Sequence, residues 1–252
     1  MEKIVFNSIS DFHSFFGLDK PENHLFSILP IKSGATCESA SGENKIEITN
    51  NLYSLSFKRI FSGEILYGRE KYDYSDGTLI FTRPGTNIVL ENIKVECDGY
   101  VIVFDTDFLL NTSLKSKIGK YGFFEYSIKE SLHLPKDHTA IIFNIFENIN
   151  REYSSFKDDH STDIILSQIS SLLEYSDRFY HNQFLQRKNN ADNSVQSLFL
   201  LALEKYYANS VDSIPTLSEI AKYLNMTNRY LNDSLKAETG YTAISNLQSF
   251  CN

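Results

Sequence analysis

TLSEIAKYLNMTNRYLNDSLKAETG, residues 216–240, is the stretch whose residue order says most about the chain. Leu217, Ile220, Ala221 and Leu224 fall at i, i+3, i+4 and i+7, which draws one apolar stripe down a first helix. Thr216 with Glu219 three residues on makes a capping box that satisfies free N–H groups at that helix's start. Asn225 tolerates the left-handed turn that should follow, and Thr227 is placed to cap a second helix. Met226 and Leu231 have the spacing of a hydrophobic staple, and Gly240 supplies a left-handed stop. The expectation is a helix-turn-helix.

On the second helix Leu231 and Leu235 turn inward at i, i+4, so Asn228, Arg229, Asn232, Asp233 and Lys236 are expected to face out. A helix entering the major groove touches base edges with its N-terminal residues, and Asn and Arg suit adenine and guanine edges. Thr227, Asn228, Arg229, Asn232 and Lys236 are therefore the candidate DNA-binding residues. The same spacing also serves a capped helix pair in any all-α domain.

The segment SEIAKYLNMTNRYLNDSLKAETGYT (Ser218–Thr242) resembles the first helix-turn-helix of the AraC/XylS family of transcriptional regulators, including the stretch Lys236–Thr242 that follows the reading helix in many members. YDYSDGTLIFTRPGT (Tyr72–Thr86) and GYVIVFDTDFL (Gly99–Leu109) resemble the sensor domain of one branch of that family. The resemblance implies a cupin-like antiparallel barrel that holds a small-molecule effector, a helical dimer contact and a DNA-reading domain. It also implies a second helix-turn-helix behind a linking helix. The chain ends at Asn252, where that linking helix would start, so the expected reading domain is a truncated one.

Bulk numbers set the frame. A chain of 252 residues is long enough for two cores, and 42% apolar with 22% charged residues is ordinary globular composition. The net charge of −8 excludes a protein that coats nucleic acid by bulk attraction but not a site-specific reader. From Ala191 onward four basic residues (Lys205, Lys222, Arg229, Lys236) stand against six acidic ones (Asp192, Glu204, Asp212, Glu219, Asp233, Glu238), a poor electrostatic footprint for DNA. Cys37, Cys97 and Cys251 are too far apart to pair as C-x-x-C and read as reduced thiols. No signal-peptide core or membrane-length apolar run is present, so a cytoplasmic protein is expected.

Between about residues 24 and 108 the chain reads as strands separated by the turn signals Ser62-Gly63, Asp76-Gly77 and Pro84-Gly85, hence a small antiparallel barrel or a double-sheet sandwich. Tyr53, Phe57, Tyr67, Tyr72 and Phe81 are its aromatic residues; they either fill the core or line a ligand pocket. The six histidines contain no H-x-H pair, and none lies between Ile46 and Phe104, so no metal site, cofactor or catalytic centre is expected. No nucleophile elbow, P-loop or dinucleotide fingerprint occurs, which argues against an enzyme.

From Pro135 to Arg187 the period becomes helical, with stripes at Ile141, Ile142, Ile145, Phe146, Ile149 and at Ile165, Leu166, Ile169, Leu172, Leu173, Phe179. The family resemblance implies a homodimer contact through Thr162–Phe184; packing on the chain's own sheets serves the second stripe equally well. Lys188–Asn193 is the expected linker, dividing an α+β sensor and dimerisation domain (1–188) from a small all-α domain (194–252). The expected function is a DNA-binding transcriptional regulator whose partners are an operator duplex and a small effector. The alternative is a ligand-binding, self-associating protein that has lost DNA binding.

Overall fold

The computed structural model describes residues 2–38, 45–64, 66–67, 70–71, 77–91, 94–127, 130–155, 158–188, 194–209 and 214–251. The fold is mixed α+β. Its contacts divide the chain into two compact units, Met1–Lys120 with Ser131–Tyr175, and Tyr121–Glu130 with Ser176–Asn252. The sequence expectation put the boundary at 188–194; the division falls inside a long helix instead, and the second unit takes in a segment from the middle of the chain.

The first unit is built on two sheets. β1 (Glu2–Phe6), β3 (Lys45–Asn50) and β8 (Thr86–Glu91) form one, in the order β1-β3-β8. β2 (Phe26–Glu38), β4 (Tyr53–Glu64), β7 (Thr78–Thr82), β9 (Lys94–Phe104) and β10 (Leu132–His133) form the other, in the order β10-β7-β4-β9-β2. β5 (Leu66–Tyr67) and β6 (Glu70–Lys71) make a short separate hairpin. All pairings are antiparallel except β1 with β3, which is parallel. Among the described residues no ladder joins the two larger sheets, so neither closes into a barrel.

What holds the sheets face to face is an apolar cluster of Phe6, Ile48 and Ile88 from the three-stranded sheet with Leu29, Val101 and Val103 from the five-stranded one. α1 (Ile9–Phe15), started by a Ser8–Asp11 capping box, adds Ile9 and Phe12 to it. β4 runs through the expected turn at Ser62-Gly63, with a register irregularity against β9 between Ile60 and Ser62. Pro84-Gly85 does turn the chain, Gly85 at φ +84°. Gly99, at φ +139°, lies where a Cβ would overlap the Phe57 carbonyl, so only glycine lets β9 approach β4 there.

After α2 (Ser113–Lys117) come the two helices expected from the period change, α3 (Lys136–Ser155) and α4 (Ser161–Lys188). Ile142, Ile145, Phe146 and Ile149 are buried on α3, while Ile141 is partly exposed. On α4 the stripe Ile165, Leu166, Ile169, Leu172, Leu173, Phe179 and Phe184 is buried within the single chain. The expected linker lies, from residue 189, outside the described residues.

In the second unit α5 (Val195–Asn209), α6 (Leu217–Tyr223), α7 (Asn228–Thr239) and α8 (Ala243–Cys251) share one core. Phe199, Leu203, Ile220, Ala221, Leu231, Leu235, Ala243 and Leu247 are its centre, and Met226 packs against it. Leu203 takes the inward position on α5, while Leu201 is left 54% exposed.

Candidate nucleic-acid interface

The local grammar of residues 216–240 produces the expected elements. Thr216 accepts from the Glu219 N–H, and Glu219 accepts in return from the Thr216 N–H and hydroxyl, so the α6 capping box is closed on both sides. Hydrogen bonding to Thr216 holds the Glu219 carboxyl below its ordinary range. Asn225 turns the chain at φ +54°, Thr227 caps α7 through the Tyr230 N–H, and Gly240 ends α7 at φ +83°.

Side chains after the candidate face are spent on joining helices. Glu238, 2% exposed, accepts from the Val195 and Gln196 N–H groups and so caps α5 from α7. Thr242 accepts from Ser245 in the first turn of α8, and Asn232 accepts from the Ala243 N–H at the same end. Glu238 and Thr242, at the end of the stretch that carries the family resemblance, thus join helices.

The candidate DNA-binding residues fall into two groups. Asn228 and Lys236 are exposed, with Asn228 Nδ2 donating to Ser218 on α6. Thr227, Arg229 and Asn232 are half-buried and engaged. Arg229 Nε donates to Asp233 Oδ2 at 3.0 Å, one helical turn on, and Asn232 Nδ2 donates to Asp233 Oδ1. Arg229, Asn232 and Asp233 do not simply face solvent: Asn232 is engaged by Asp233 and the Ala243 N–H, and another piece of chain lies along the side of Arg229 and Asp233.

That piece is Tyr121–Ser127 with Glu130. The Tyr126 hydroxyl donates to Asp233 Oδ2 at 2.9 Å, and its ring meets Tyr230 edge-on with centroids 5.1 Å apart. Phe184 also packs edge-on against Tyr230, which is 2% exposed, and the three rings form one cluster. Gly122 lies so close that a Cβ would overlap the Asp233 carboxylate and the Arg229 guanidinium. Glu130, 6% exposed, accepts from the Thr227 N–H at 2.7 Å and from its hydroxyl at 3.0 Å, while the Ser127 N–H and hydroxyl donate to the same carboxylate. Burial, with the Asp233 charge beside it, pushes the Tyr126 phenol far above its ordinary range. Sequence reasoning did not single out Gly122, Tyr126, Glu130 or Glu238, since the partners that tie them to α7 or α5 are far off in the chain.

Three of the aromatic residues expected to fill the core or line a pocket lie together. Tyr53, Phe57 and Phe81 share one face of the five-stranded sheet, as the pairings of Leu55 with Phe81 and of Phe57 with Tyr100 require. α3 covers that face: Phe57 and Tyr100 both pack against Phe143 and Phe146, and Tyr53 stacks on Phe104. Phe57 is thus a packing residue beneath α3. The Tyr67 side chain and the whole of Tyr72 lie outside the described residues. His13 is buried between the Asp19 carbonyl and the Ser27 hydroxyl, and among the described residues no three His, Cys, Asp or Glu side chains gather as a metal site. Cys97 is a buried free thiol, and among the described residues no helix is long and apolar enough to cross a membrane. No protein-family model matches the chain, and none of the curated proteins compared with it does.

Proposed function

We propose that the chain is a DNA-binding transcriptional regulator of the AraC type, with α6 and α7 as a helix-turn-helix, α7 as the reading helix and the two-sheet unit as a cupin-like sensor. The observation that carries this reading is local. Two capped helices, joined through a left-handed Asn225 and a staple at Met226, sit on a shared apolar core with polar N-terminal residues on the second. Asn228 and Lys236 reach outward as they stand, and Arg229 joins them once freed from Asp233. A homodimer along Thr162–Phe184 has the positions of α4 outside its buried stripe to use, Ile164 among them.

Arg229→Ala is expected to weaken specific duplex binding by about 1–3 kcal/mol and leave the fold intact, read by fluorescence anisotropy beside circular dichroism. Unchanged affinity would remove Arg229 from the reading face. The acidic balance after Ala191 and the Arg229–Asp233 pair favour a second reading, a ligand-binding, self-associating protein without DNA binding. Absence of any duplex binding at low salt would decide for it.

A further inference from the structure

We propose that Tyr121–Ser127, with Glu130, is an internal strap that holds α7 out of DNA, so that binding requires the strap to come off. The inference rests on the reading function proposed above and adds a regulation to it. Steric size bears on the point first. A helix with its side chains is about 10–12 Å across and the major groove about 12 Å wide, so a segment lying along the Arg229–Asp233 side of α7 leaves little room for that side to enter. The strap is in direct contact: Gly122 leaves no room for a methyl group against Arg229 and Asp233, and the Tyr126 ring lies on Tyr230.

The polar contacts act in the same sense. Glu130 sets a carboxylate on the N-cap of α7, the end of the helix that otherwise attracts a phosphate, and takes both the N–H and the hydroxyl of Thr227. Tyr126 donates to the Asp233 oxygen that also holds Arg229 Nε, which turns the guanidinium along its own helix instead of outward. The strap thus imitates an anion at the cap and withdraws the one arginine of the reading helix. Its neighbours in sequence, Lys120 and Ser131, belong to the first unit.

Tyr126→Phe tests this without altering charge. The full chain and the variant are titrated with a labelled pool of random-sequence duplex DNA at low salt, and exchange of the Thr227 amide is followed without DNA. The expected result is roughly tenfold tighter binding by the variant together with faster Thr227 exchange, the size that follows from removing contacts made only in the closed form. Equal binding by a folded variant overturns the strap and leaves the reading function standing. Binding by neither protein overturns both. Should Tyr126→Phe not fold, Glu130→Gln is compared with Glu219→Gln, an exposed position that loses the same charge. A gain in Glu130→Gln alone supports the strap, and equal gains in the two overturn it.

Discussion

At the scale of single residues, the side chains that matter most on α7 are fixed by partners outside it. Tyr126 is the case with a pH signature. Burial raises its folded-state pKa far above the unfolded value of 10.0, so the folded unit resists ionising it. A raised pKa contributes stability that is fully present below the unfolded value and is lost as pH rises above it. In urea melts between about pH 9 and 11, stability of the wild-type chain is therefore expected to fall more steeply than that of Tyr126→Phe. Parallel slopes would mean that the phenol is not held as described. Glu219 has the opposite sign: its lowered pKa makes the α6 capping box fade on acidification, below the ordinary carboxyl value of 4.5.

Among elements, the four C-terminal helices are joined as much by end contacts as by their core. α5 starts at Val195 with its first N–H groups aimed at Glu238 of α7, an acceptor 43 residues away. Glu238→Ala would leave the buried Val195 N–H and the part-buried Gln196 N–H unpaired and is expected to cost about 2 kcal/mol in urea denaturation. Glu238→Gln, which keeps one acceptor oxygen, should cost less; equal losses in the two would show that the contact is packing rather than capping. The same logic explains the stretch Lys236–Thr242. Its Glu, Gly and Thr cap α5, end α7 and start α8, so its pattern is what this helix junction requires.

For the whole molecule, a net charge of −8 and only four basic residues after Ala191 limit how DNA can be held. Each neutralised phosphate contributes about −0.9 to the slope of log affinity against log salt, so that region supports a slope no steeper than about −4. Anisotropy titrations across a salt series would measure it. A steeper slope would mean that cations elsewhere in the chain, or a second copy, share the contact. The buried α4 stripe bears on the second possibility, because those residues are already used within one chain and a dimer contact must be built from others.

The sequence by itself determined the elements whose signals are local. Caps, left-handed turns and helical periodicity act over three to seven residues, so α3, α4, the α6 capping box, the Asn225 turn and the Gly240 stop were legible. Period-2 alternation likewise placed Tyr53 and Phe57 on one strand face. It could not say which face α3 would cover, because either face satisfies the alternation. Only the tertiary structure decided that question, as it decided what lies on α7. Thr227 and Glu130 are 97 residues apart and Tyr126 and Asp233 are 107 apart. A hydrogen bond between groups so distant leaves no trace in residue spacing; it exists because the fold brings Tyr121–Glu130 to the second unit, where burial makes each unpaired donor costly.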